Sequence, residues 1–235
     1  MSKVGKKRRT LSALLLFLAV PIVIFAGVFL FHDRQYALIS LVIALLGCIP
    51  FFAVFEKRRP RARELVVIAV MSAISVIGRL LFAFVPGFKP VTAFTVLTGG
   101  IFGCEAGFLT GAMTALASNL FFGQGPWTPF QMLIWGLIGW FAGLLGRRNR
   151  LDRKWVQVVY GILSGAAFSL GMDIWTVLSI DGVFLWSRYL TAILASLPFT
   201  VMYALSNVVF LLLLYGPLGK KLTRLKTKYG IGLED

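Results

Sequence analysis

The chain has 235 residues, 58% of them apolar or aromatic and only 14% charged, with a formal net charge of +15 and a mean hydropathy of +0.86. A water-soluble domain carries about 25% charged residues, so this composition excludes one and points to lipid as the main solvent. The cations do not signal nucleic acid, because they sit in short clusters between apolar runs rather than along one amphipathic face.

Apolar runs cover residues 11–31, 36–55, 65–84, 91–103, 106–122, 130–145, 156–180 and 189–215. About 20 residues at 1.5 Å each cross about 30 Å of hydrocarbon, so the pattern predicts an all-α integral membrane protein of about eight spans. The first run lacks a small-residue cleavage site and reads as a helix rather than a removable leader. Lys3, Lys6, Lys7, Arg8 and Arg9 precede it. Lys57, Arg58, Arg59, Arg61 and Arg63 follow the second run, and Pro60 ends the helix there. Arg147, Arg148, Arg150, Arg153 and Lys154 follow the sixth, and Lys220, Lys221, Arg224, Lys226 and Lys228 the eighth.

These four clusters hold 20 of the 24 Lys and Arg residues. The positive-inside rule places all four in the cytoplasm, with both termini, and leaves only Arg34, Lys89 and Arg188 in the opposite loops. Parity then requires residues 91–122 to cross twice, turning near 102–106, or else to be partly re-entrant. Residues 91–103 reach only about 20 Å as a helix, so this crossing is expected to be buried among neighbours or irregular. The chain divides into a basic tail, a helix pair and a basic linker (1–64), a six-helix membrane domain (65–216) and a basic cytoplasmic tail (217–235).

Helices in lipid approach through small residues, and these recur at four-residue spacing: Ala69/Ala73, Gly99/Gly103/Gly107/Gly111, Gly139/Gly143 and Gly161/Gly165. Most predict internal packing; Ala69 and Ala73 are also a candidate partner-docking surface. Cys48 and Cys104 lie in or beside apolar runs and read as packing residues, not a disulfide or metal pair.

Intramembrane polar groups are confined to the last six spans: Arg79, Asn119, Gln131, Asp173 and Asn207. The first four fall in the outer half of the bilayer. A charge there costs about 2.5–3.5 kcal/mol on insertion scales, so Arg79 and Asp173 either pair with each other or line a hydrated pocket. Asn207 reads as an interhelical hydrogen bond. The outer loops are rich in Pro, Gly and aromatics: Trp127, Trp175 and Trp186 fit an aromatic belt at the headgroup level, while the Pro and Gly spacing around Gln124 and Trp127 also suits a shaped lid over a flat, partly polar ligand. The one histidine, His32, stands in a short loop, and no metal spacing, nucleophile elbow or phosphate loop occurs. No enzyme chemistry, metal or cofactor is therefore expected, and a pump built on this chain would have to obtain ATP hydrolysis from another polypeptide.

The segments Ala69-x-x-x-Ala73, Val85-Pro-Gly-Phe-Lys-Pro90, Gly103-Cys-Glu-Ala-Gly-Phe108 and Asn119-Leu-Phe-Phe-Gly-Gln-Gly-Pro-Trp-Thr-Pro-Phe-Gln131 resemble the substrate-binding S components of energy-coupling factor (ECF) vitamin transporters. The resemblance covers residues 65 to about 216 and implies a six-helix bundle that binds a vitamin or related micronutrient on the extracellular side. It also implies a transmembrane coupling protein and two cytoplasmic ATPases as partners, and no catalysis by this chain. Carried over, the coupling contact falls on Ala69 and Ala73, and the pocket and lid on the loops of Lys89, Gln124, Trp127 and Trp186. Arg79, Asn119, Gln131 and Asp173 complete the candidate binding set. Within the family the Phe-Phe-Gly-Gln-Gly-Pro-Trp block is similar to S components for cobalamin or its precursors. The helix pair at 11–55 departs from the family pattern. The rival reading is a stand-alone membrane transporter or a membrane-integrated enzyme.

Overall fold

A computed structural model describes residues 45, 46, 48, 49, 51–53, 55, 56 and 62–231. The first predicted span, most of the second, His32, the first basic cluster and four of the five cations of the 57–63 cluster lie outside the described residues. From residue 62 the chain forms six α-helices: α1 (Ala62–Leu81), α2 (Val91–Phe102), α3 (Cys104–Phe122), α4 (Thr128–Gly146), α5 (Lys154–Asp181) and α6 (Trp186–Tyr229), with a 3-10 turn at Arg150–Asp152. Each corresponds to one predicted run of the membrane domain.

Helices α1, α4, α5 and α6 are long and apolar enough to cross a bilayer. Their outer faces are lipid-like: Leu65, Val66, Val70, Ile74, Ile77 and Leu81 of α1 are all exposed. Helix α3 is as long as α4 but less apolar, since it carries Glu105, Thr110, Thr114, Ser118 and Asn119. The short α2 is wholly buried apart from Gly100. At about 18 Å it cannot span the core alone, so it survives as an inner strut enclosed by its neighbours. Thr95 and Thr98 donate back to the carbonyls of Val91 and Phe94 at 2.9 Å, so their hydroxyls are satisfied within the helix.

The predicted turn between the two crossings is the single residue Gly103, at φ +113°, a conformation that side chains rarely adopt. The chain folds back sharply there, since Gly107 packs against Gly99. A continuous helix would hold those residues about 12 Å apart. Helix α4 closes the same corner. A methyl group on Gly99 or Gly107 would strike the Gly139 carbonyl, and one on Gly139 would strike the Gly107 carbonyl. Three helices therefore meet backbone to backbone, the contact expected where lipid supplies no hydrophobic drive. Gly161 and Gly165 play the same role between α5 and α6, against Val208 and Ala204. Asn207 adds the expected interhelical bond, donating to Ser164 Oγ at 3.1 Å. Cys48 and Cys104 are both buried and are not joined in a disulfide.

The helix after residue 186 runs farther than its apolar stretch. Residues 217–229, assigned from hydropathy to the tail, are the last turns of α6, which continues through Pro198 and Pro217 to Gly230. Leu218, Leu222, Leu225 and Tyr229 recur along one face there, and Lys and Arg favour helix, so the segment is amphipathic where hydropathy alone saw only charge. Lys226 Nζ donates to the Ile101 carbonyl at 2.6 Å, tying this end of α6 to the end of α2. Ahead of α1, Phe51 stacks on Phe108 of α3 with ring centroids 3.7 Å apart.

Candidate substrate-binding site

The C-terminal ends of α1 and α3, the N-terminal end of α4 and the loop before α2 converge at one end of the bundle. Ser72, Ser75 and Arg79 occur at i, i+3 and i+7 on α1 and are buried, with Thr110, Thr114 and Ser118 buried on the facing α3. This polar seam leads to Arg79, which is 7% exposed. Arg79 Nη1 donates to Ser118 Oγ and, at 2.9 Å, to Asn119 Oδ1. Asn119 Nδ2 donates in turn to Thr128 Oγ1 at 2.9 Å and to Gln131 Oε1 at 2.8 Å. Thr128 Oγ1 donates to Gln124 Oε1 at 3.0 Å, and Gln124 Nε2 to the Leu116 carbonyl at 2.8 Å. Arg79, Asn119, Gln124 and Gln131 thus form one hydrogen-bonded chain through Thr128.

Aromatic faces enclose the cations. Arg79 Cζ lies 4.5 Å from the Phe122 centroid and 5.1 Å from that of Trp135, and Lys89 Nζ lies 5.0 Å from Phe122. The Lys89 backbone is pinned on both sides by one hydroxyl: its N–H donates to Ser206 Oγ at 2.8 Å, and Ser206 Oγ donates to its carbonyl at 3.0 Å. Partial burial, and then the charge of Arg79, push the Lys89 ammonium pKa below its usual value. Arg79 Nε, by contrast, is buried without a hydrogen-bond partner among the described residues. A buried donor left unpaired costs about 1–3 kcal/mol, so the site retains a use for an acceptor.

Asp173 is not joined to Arg79. Its carboxylate accepts from Ser196 Oγ at 2.6 Å, within a ladder between α5 and α6 that also pairs Thr200 with Ser169 at 2.6 Å. Of the two arrangements open from the sequence, a direct ion pair is not formed; Tyr203 lies within electrostatic reach of both charges instead. Trp127 is 37% exposed, with its ring over Gly125. Trp186 is 68% exposed and stacks on Tyr189, 5.6 Å away, at the α5–α6 turn, apart from the polar chain. Sequence reading passed over Phe122, Thr128, Trp135, Tyr203 and Ser196. Trp135 was open to inference, since it lies one helical turn from Gln131.

Ala69 and Ala73 are exposed on α1 and line an apolar groove of about 850 Å³, with Ile68, Leu109 and Phe121 among its other walls. Among the described residues no three His, Cys, Asp or Glu side chains come together as a metal site would require.

The chain matches the family of ECF-type riboflavin transporter S components over residues 60–224. It belongs to that family. As an ECF S component it is a membrane-embedded transporter subunit, of a family that binds small-molecule vitamins and works with a membrane coupling component and ATPases. The match begins at residue 60, just before α1, and so takes in all six helices up to the penultimate turn of α6. No curated protein and no solved structure matches this S component.

Proposed function

We propose that this S component binds a vitamin whose flat heteroaromatic ring carries carbonyl acceptors, riboflavin ahead of cobalamin, between Arg79, Lys89, Asn119 and Gln131. The observation that carries this reading is the unpartnered Arg79 Nε beside the faces of Phe122 and Trp135. A ring carbonyl would satisfy the donor while the ring stacked on the aromatics. The family description names riboflavin, and a corrin, far bulkier and puckered, matches this chemistry less well. Gln124 and Trp127 form the lid in this reading, Trp186 stays outside it with Tyr189 at the α5–α6 turn, and Asp173 shapes the wall through Ser196. Riboflavin fluorescence should be quenched saturably on titration with the purified protein, and excess cobalamin should not restore it. Unquenched riboflavin together with saturable cobalamin binding would reverse the order of the two.

The same reading places the site on the extracellular side of the plasma membrane in a multi-pass protein with both termini cytoplasmic, because the basic clusters gather at the other end of the helices. Labelling of a cysteine at position 150 by an impermeant reagent in intact cells would refute that orientation. Ala69 and Ala73 then dock the coupling protein, which brings two ATPases.

A further inference from the structure

At the end of the bundle opposite the polar chain, α1 and α6 meet at Arg63 and Tyr229. Arg63 Nη1 donates to the Tyr229 carbonyl at 3.1 Å, and its guanidinium lies 5.6 Å from the Tyr229 ring centroid. Lys228 Nζ lies 5.4 Å from that same ring. Beneath this pair of cations opens a groove of about 420 Å³, its walls made by Val66, Val67 and Val70 of α1 and Leu222, Leu225 and Tyr229 of α6. From Arg63 to Val70 it runs about 10 Å along α1. Its interior is apolar and its mouth is basic.

The α6 sequence explains the contrast. Leu222, Leu225 and Tyr229 recur at i, i+3 and i+7 and line the groove. One residue earlier in each case, about 100° round the helix, come Lys221, Arg224 and Lys228, all exposed. The 44 residues of α6 contain no Asp or Glu, so nothing on this helix neutralises that row. An apolar slot with a basic rim, at the end of the helices where the basic clusters gather, has the chemistry of a phospholipid: an acyl chain for the slot and a phosphate for the rim.

We propose that this groove holds one acyl chain of an anionic phospholipid from the cytoplasmic leaflet, with Arg63, Lys228 and the Lys221–Arg224 row on its phosphate headgroup. The lipid bridges the start of α1 and the end of α6, the first and last helices of the six, and so clamps the bundle at the end away from the vitamin. It is independent of which vitamin is bound, although its leaflet assignment follows the orientation above.

The test uses the full chain in detergent, stripped of lipid and then offered dioleoyl phosphatidylglycerol or dioleoyl phosphatidylcholine, with bound lipid counted by native mass spectrometry. Wild type should retain phosphatidylglycerol in preference to phosphatidylcholine. Arg63→Gln and Lys228→Gln, both exposed positions, should each weaken phosphatidylglycerol retention about fivefold, which corresponds to about 1 kcal/mol per basic residue. Val67→Trp, which fills the slot, should abolish it, while Phe141→Trp on the exposed face of α4 should not. Equal retention of the two lipids by wild type would overturn the proposal. So would unchanged phosphatidylglycerol retention in both glutamine variants, whether or not those variants lose a coupling protein on co-purification.

Discussion

The polar chain at Arg79 illustrates how a buried cation is tolerated in a membrane helix. No carboxylate among the described residues neutralises it; two side-chain oxygens and two aromatic faces share the work. The residues of the chain stood out in the sequence, because Arg79, Asn119 and Gln131 are rare groups in apolar runs. The partner of Asp173 was not, since Ser196 lies on the next helix and its alignment depends on how α5 and α6 slide against each other. The difference has a consequence for mutation. With Asp173 bonded to Ser196 rather than Arg79, Asp173→Asn leaves the Arg79 contacts in place, and an amide can still accept from the serine. Its expression and monodispersity on gel filtration should stay close to wild type. Gln131→Ala should also express normally but weaken vitamin binding by about 5- to 150-fold, equivalent to about 1–3 kcal/mol, on calorimetric titration. Wild-type affinity in Gln131→Ala would remove that residue from the site.

Element boundaries follow from where chemistry leaves no choice. Gly103 separates α2 from α3 because only glycine takes φ +113° without strain, and the close approach at Gly99, Gly107 and Gly139 holds the two helices against α4. Four-residue glycine spacing made that contact readable from sequence, whereas the length of α6 was missed because hydropathy is blind to an amphipathic helix rich in lysine. The glycine corner also sets a sharp expectation. Gly139→Val places a branched side chain against the Gly107 backbone, which has no flexible end to retreat, so α3 and α4 must separate. The variant should yield little monodisperse protein. Gly216→Val is the matched control, because no neighbouring atom lies within 4 Å of a Cβ at that position; the control should purify normally. Normal yield of Gly139→Val would show that the three-helix contact is looser than its geometry implies.

At the scale of the whole molecule, the two ends of the bundle have opposite characters. One gathers polar and aromatic side chains around Arg79, and the other gathers basic residues around Tyr229. The exposed alanines of α1 lie on neither end but on its flank, in the large apolar groove. Membrane faces of this kind have no hydrophobic reason to attract a partner in lipid, so affinity must come from close packing, and alanine is what permits it. A bulky side chain at the centre of the groove would hold an incoming helix several Å away and forfeit its dispersion contacts. Ala73→Trp should therefore abolish vitamin uptake by cells and co-purification of the coupling protein. The isolated variant should bind its vitamin as wild type does, because Ala73 is exposed and apart from the Arg79 chain. Joint loss of binding and uptake would mean that the substitution damages the bundle rather than its docking face. Normal uptake would place the coupling contact elsewhere on the molecule.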